Sequence, residues 1–150
     1  MATTLTNAEL SVKINEYIVL NGQPINSENS LLISEINEVD KRIVSVPFAS
    51  EVTVLNFGAA VAAGTFVASS VRYIRITNKD DTNYVRVRIT QDSGETFDVK
   101  IDAGKSFMMG NTSESASGGG AAFSAFVNMT SINAQANTAA VDIEYFIASI

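Results

Sequence analysis

Between Val71 and Ile101 the chain alternates apolar and polar residues with a period of two, which restricts it to β structure. Val71, Tyr73 and Arg75 alternate with Arg72, Ile74 and Ile76. Val85, Val87 and Ile89 alternate with Tyr84, Arg86, Arg88 and Thr90, and Phe97, Val99 and Ile101 with Asp98, Lys100 and Asp102. Asn78-Lys79-Asp80-Asp81-Thr82-Asn83 and Asp92-Ser93-Gly94-Glu95 separate the three runs. Successive side chains on a strand point to opposite faces, so these runs predict an antiparallel meander at 71–101 with one wet face.

Similar patterns flank this region. Leu10, Val12, Ile14, Ile18 and Leu20 share one face of a strand, and Glu16 interrupts that face, which predicts a bulge or an edge there. Asn21-Gly22 is the strongest short hairpin signal in the chain. Leu31–Ile36, Lys41–Val46 and Val52–Phe57 read as short strands, with Pro47 stopping the second. Gly58 to Gly64 is a run of small residues that predicts a loop crossing the top of a sheet. Lys105–Met109 and Phe123–Ile132 are further strands. The last strand carries Val141, Ile143, Tyr145 and Ile147 against Asp142, Glu144 and Phe146. The expected architecture is all-β, a single-domain antiparallel β-sandwich of jelly-roll-like type over 1–150, with roughly ten short strands. An N-terminal arm at 1–7 and a flexible loop at 110–122, containing Gly118, Gly119 and Gly120, complete it.

Composition narrows the chemistry. At 150 residues one core suffices without staples. Cys and His are both 0, which excludes disulfides, thiolate metal sites, and Ser-His-Asp or Cys-His catalysis. A Ser-Lys dyad would need Lys41, Lys100 or Lys105 desolvated beside a serine, and nothing local arranges that. The acids lie mainly in turns and on wet strand faces rather than as a facing pair across a cleft. Asp80-Asp81-Thr82-Asn83 and Asp92-Ser93-Gly94-Glu95 offer clustered oxygens but not EF-hand spacing, and tight turns need those residue types for backbone reasons. The triple glycine is not followed by Gly-Lys-Ser, so it is no phosphate loop. The expectation is a non-enzymatic protein with no catalytic, cofactor or metal residues.

Net charge is −6, with charged residues only 17%. Residues 1–60 carry −4, residues 61–110 carry +1 and residues 111–150 carry −3. A net acidic chain is a poor phosphate binder, so no nucleic-acid partner is expected. Arg72, Arg75, Arg86, Arg88 and Lys100 read as cross-strand partners of nearby acids such as Asp98 and Asp102. Tyr17, Tyr73, Tyr84 and Tyr145 read as core or cross-strand packing rather than a sugar platform. There is no 18-residue apolar run for a membrane span. The start lacks a signal-peptide pattern, so synthesis and use without secretion are expected.

Several stretches together resemble a known group. They are Leu10-Ser11-Val12-Lys13-Ile14-Asn15-Glu16, Ile18-Val19-Leu20-Asn21-Gly22, Ile33-Ser34-Glu35-Ile36-Asn37-Glu38-Val39, Val71-Arg72-Tyr73-Ile74-Arg75-Ile76-Thr77-Asn78 and Thr138-Ala139-Ala140-Val141-Asp142-Ile143-Glu144-Tyr145. This pattern resembles small virion structural proteins of marine tailed bacteriophages, including those infecting cyanobacteria. The resemblance implies a β-rich, multi-copy, non-enzymatic protein. A capsid decoration or cement protein on the outer capsid surface is the first expectation, made in the host cytoplasm. A tail or fibre component, or a host-surface carbohydrate-binding module, is the alternative. Implied partners are the major capsid protein and sister copies in a homo-oligomer. The segments expected to touch them include Thr3, Thr4 and Leu5, then Gly58, Ala59 and Ala60, and Gly118, Gly119 and Gly120.

Overall fold

The computed structural model describes residues 4–110, 115–116 and 127–150, and these contain no α-helix. The chain divides into two compact units, Met1–Asn37 and Glu38–Ile150, where the sequence reading placed 1–150 in one sandwich domain. The division follows from pairing. Among the described residues the first two strands hydrogen-bond to each other and to no other strand.

The first unit is a long hairpin of β1 (Ala8–Leu20) and β2 (Gln23–Ile36). Asn21 and Gly22 both have positive φ, 51° and 78°. That is the type I′ geometry whose twist matches the flanking strands, and Asn-Gly adopts it at least cost. The segment expected as a short strand at Leu31–Ile36 is the end of the 14-residue β2. The ladder runs unbroken from Leu10↔Ile33 to Leu20↔Gln23, and Glu16 pairs with Ser27. Of the bulge or edge expected at Glu16, the edge is what is observed, since β1 belongs to a two-stranded sheet, while the register shift lies between Ala8 and Leu10. There Ser34 and Glu35 stand opposite Glu9, and Glu35 takes a left-handed φ of 65°.

The second unit is sandwich-like. One sheet contains β3 (Glu38–Val46), β6 (Val71–Asn78), β9 (Ser106–Gly110) and β12 (Val141–Ser149), in the order β3-β12-β6-β9. The other contains β4 (Val52–Gly58), β5 (Thr65–Val67), β7 (Val85–Gln91), β8 (Thr96–Ile101) and β11 (Val127–Ala136), in the order β5-β4-β11-β7-β8. β10 (Ser115–Ala116) pairs with β11. One hydrophobic cluster joins the inner faces. Ile74, Ile76, Ile143 and Ile147 come from the first sheet and Val85, Val87, Ile89 and Ile132 from the second, all fully buried. Burying each such side chain contributes roughly 1.5–3 kcal/mol, set against the entropy of ordering the chain.

The alternation identified the inward residues of β7 and β12 but not the strand neighbours. No meander exists at 71–101. β7 and β8 form a hairpin, whereas β6 lies in the opposite sheet between β12 and β9. Residues 79–84 arch from one sheet to the other. Asp80 Oδ1 accepts the backbone N–H of Thr82 and Asn83, and the Lys79 N–H donates to the Asp142 carbonyl. Asn78, fully buried, clamps the crossing. Its Nδ2 donates to the carbonyls of Asn83 at 2.8 Å and Ile101 at 3.1 Å, and its Oδ1 accepts the Asp80 N–H.

Bulges also change phase. The β6–β12 register slips between Ala148 and Ser149, so Val71 and Ile74 both reach the core despite their odd and even numbers. A slip in β11 between Met129 and Ser131 does the same for Met129 and Ile132. The Gly58–Gly64 run forms a loop, as expected. Its small side chains and Gly64, at φ 71°, let the chain double back so that β5 pairs parallel to β4. The loop expected at 110–122, apart from Gly110, Ser115 and Ala116, lies outside the described residues, as do Phe123 and Ala125.

Candidate functional site: an apolar hairpin face and a polar sheet face

The hairpin register assigns every side chain to a face. One face carries Leu10, Val12, Ile14, Glu16, Ile18 and Leu20 from β1, with Gln23, Ile25, Ser27, Asn29, Leu31 and Ile33 from β2. Eight of these twelve are large and apolar. Ile18, Leu20 and Ile25 are more than half exposed, and Ile14 and Leu31 are also exposed. The opposite face carries Ser11, Lys13, Asn15, Asn26, Glu28 and Ser30, with Tyr17, Val19, Pro24 and Leu32. A two-stranded hairpin is marginally stable alone in water, and contiguous apolar surface of this kind marks an interaction site.

A second feature lies on the outer face of the β5-β4-β11-β7-β8 sheet. The pairing places Arg86 opposite Lys100 and Arg88 opposite Asp98. Arg88 grips Asp98 with two hydrogen bonds, Nε to Oδ1 at 2.8 Å and Nη2 to Oδ2 at 2.9 Å. Arg86 donates to Glu51 Oε2 at 2.6 Å and to Gln135 Oε1 at 2.8 Å. Asn133 donates to the other Glu51 oxygen, and Gln135 Nε2 donates to the Phe48 carbonyl. The Arg88 hydrogen bonds hold the Asp98 carboxyl below its usual range and raise the Arg88 guanidinium. Lys100 Nζ sits 2.7 Å from Asp102 and 4.7 Å over the Tyr84 ring, and Asp102 raises its pKa. Cross-strand pairing is thus observed for Arg88 and Arg75, on two sheets, whereas Lys100 pairs with Asp102 two residues on and Arg72 donates to the Ser69 and Val71 carbonyls. Arg75 lies on the other sheet and pairs with Glu144 at 2.7 Å.

An open cleft of about 600 Å³ borders this network, lined by Phe48, Tyr84, Arg86, Asp98, Gln135 and Asn137, among others. Phe48 is half exposed and Tyr84 about a third exposed. The tyrosines therefore divide. Tyr73 and Tyr145 are buried as expected, Tyr73 edge-on to Phe146 at 6.0 Å. Tyr17 and Tyr84 instead show their rings to solvent. The Tyr145 hydroxyl donates to Asp40 Oδ2 at 2.7 Å, and burial followed by that hydrogen bond pushes its pKa up to about 12.

The residues expected to contact partners fall in both units and partly outside the described residues. Thr4 and Leu5 are exposed and belong to the first unit. Ala59 and Ala60 are exposed in the second unit, and Gly58 closes β4, where a Cβ added to it would lie 3.1 Å from the Thr65 Cγ2. Thr3, Gly118, Gly119 and Gly120 lie outside the described residues. The hairpin face was the feature sequence reasoning under-read. Its signal is present in Leu10, Val12, Ile14, Ile18 and Leu20, which share one face of a strand, but the alternation does not report that this face pairs into a separate hairpin. The Asp80 cluster is engaged in its own turn, whose backbone N–H groups lower the Asp80 pKa. Among the described residues no group of three or more acidic side chains is placed to hold a metal ion, and no helix is long and apolar enough to cross a membrane. No family profile, curated protein or solved structure matches the chain.

Proposed function

We propose that this protein is a non-enzymatic structural subunit of a phage virion, a decoration or cement protein that binds the outer capsid surface and stabilises the shell. The observation that carries the assembly role is the hairpin. Strands of 13 and 14 residues expose a stripe of apolar side chains that gains free energy only when a neighbour covers it. The sandwich supplies a rigid body, with fully buried isoleucines inside and ion pairs across its outer faces. The phage setting rests on the sequence resemblance. Partners in this reading are the major capsid protein and sister copies. Many weak contacts repeated by symmetry oppose opening of the shell, each linked by mass action to the assembled state.

Quantitative mass spectrometry of purified particles tests this. Hundreds of copies per particle support a shell-wide role, whereas roughly three to a few tens move the protein to tail, portal or fibre, as symmetric complexes dictate. Absence from particles overturns the reading. The Phe48–Tyr84 cleft favours a second reading, a host-surface carbohydrate-binding module. Its exposed rings stand beside planar polar groups of Arg86, Gln135 and Asn137, a combination suited to the apolar faces and hydroxyls of a sugar. Glycan-array binding that Tyr84→Ala abolishes supports it, and no binding removes it.

A further inference from the structure

We infer that Asn21 is a site of self-modification, where the backbone converts the asparagine amide to an aspartyl or isoaspartyl carboxylate. The reaction stands independently of the role proposed above. The chain contains a single Asn-Gly pair, Asn21-Gly22, at the tip of the hairpin. In any asparagine the backbone nitrogen of the next residue can close a five-membered ring on Cγ. Two things commonly oppose this: a side chain that shields the nitrogen, and a hydrogen bond that holds its N–H. Gly22 has no side chain, and a Cβ built on it would meet nothing within 4 Å. The ladder closes at Leu20↔Gln23, and among the described residues the Gly22 N–H donates no hydrogen bond. Both turn residues are exposed, so base reaches the N–H and water reaches the ring.

The step balances without a cofactor. The Gly22 nitrogen gives up its proton and attacks Asn21 Cγ. A C–N bond forms, the Cγ–Nδ2 bond breaks, and Nδ2 leaves with that proton as ammonia. Water then opens the succinimide. Opening at the side-chain carbonyl gives aspartate, and opening at the main-chain carbonyl gives isoaspartate, whose main chain is one methylene longer. Either product adds a negative charge to a chain of net charge −6, at a tip with no charged residue from Tyr17 to Ser27 to pair it. Asp-Gly also adopts the type I′ turn, so the aspartyl product keeps the hairpin closed. The extra methylene of isoaspartate instead displaces the closing pair Leu20↔Gln23. Other asparagines are held back. Asn26 and Asn29 precede serines but lie in extended backbone paired to β1. Asn78 is fully buried and its Nδ2 donates to two carbonyls, while Asn133 Nδ2 donates to Glu51. Asn137 is exposed, but Thr138 sets a β-branched side chain beside the attacking nitrogen.

The test is peptide mass spectrometry of the full chain held for days in mildly alkaline buffer, folded and in urea. Electron-transfer fragmentation separates aspartyl from isoaspartyl products. In the folded chain Asn21 should gain one mass unit while Asn26 and Asn29 stay intact, at a rate within about tenfold of that in urea. Gly22→Ala should slow conversion on the order of tenfold in urea, where folding plays no part and only the added methyl shields the nitrogen. Amide hydrogen exchange at residues 18–25 should quicken in the isoaspartyl fraction and stay unchanged in Asn21→Asp. Asn21 that survives in the folded chain while converting in urea shows that the turn protects it and overturns the inference. Faster conversion at Asn26 or Asn29 in the folded chain does the same. Parent-like exchange in the isoaspartyl fraction overturns the effect on the turn.

Discussion

Asn78 is where the two sheets of the second unit are tied, and replacing it tests that role directly. Asn78→Asp keeps the shape and removes both N–H donors, leaving a carboxylate against the carbonyls of Asn83 and Ile101. A buried polar group without its partner costs about 1–3 kcal/mol, and two carbonyls facing an anion put the expected loss at about 3–5 kcal/mol at pH 7. Asn78→Ala loses both donor bonds and the one that Oδ1 accepts from the Asp80 N–H, but adds no buried charge, so its loss should be smaller, about 2–4 kcal/mol. Burial against carbonyl oxygens raises the pKa of the introduced carboxyl above its unfolded value of about 3.9. The neutral acid can donate one hydrogen bond, so the penalty is small below about pH 4 and grows as pH rises through the folded pKa. The chain has no tryptophan, so urea unfolding is followed by far-UV circular dichroism. With a slope of about 1–3 kcal/mol per molar urea, the midpoint should fall by about 2 M at pH 7. The difference from the parent protein should shrink at pH 4. A loss under about 0.5 kcal/mol at pH 7, or one independent of pH, refutes the clamp.

Other expectations follow from the same geometry. Asp98→Asn removes the two-bond grip of Arg88 and should cost about 0.5 kcal/mol, the scale of a solvent-screened pair. Because the Asp98 pKa is lowered in the fold, this contribution is present above about pH 4 and disappears as pH falls through the folded value, which acid unfolding of parent and variant would show. Tyr145 behaves oppositely. With its pKa raised to about 12, it stabilises the fold below about pH 10 and loses that effect as pH rises toward 12. Tyr145→Phe should cost about 1 kcal/mol and remove the last-ionising phenol from an absorbance titration at 295 nm. Gly22→Val places a β-branched residue at φ 78° and should fray the hairpin, exposing residues 20–24 to proteolysis while the thermal midpoint of the second unit is unchanged.

Strand positions and facing were legible because alternation reports burial, and burial is what the side chains respond to. Val85, Val87 and Ile89, and Val141, Ile143, Tyr145 and Ile147, sit inside as the pattern implied. Asn21-Gly22 announced its turn because only a few residues tolerate positive φ. The same pattern misled at the first strand of the expected meander, β6. Alternation is identical whether a strand's neighbour follows it in sequence or comes from 69 residues away, as Glu144 does for Arg75. The face of the candidate site was half legible. Leu10 to Leu20 showed an apolar stripe, but an apolar stripe does not say whether the rest of the same chain will cover it.

The sequence by itself determined that this chain is β throughout, where most strands lie, which side chains of β7 and β12 point inward, and that histidine and cysteine chemistry are closed to it. These properties are local, set by side-chain period, turn conformations and composition. The tertiary structure alone decided that β6 crosses to the opposite sheet, that Glu51 reaches Arg86 and Arg88, and that β1 and β2 pair only with each other. Those outcomes depend on long-range register and on where a buried Asn78 finds its carbonyl partners.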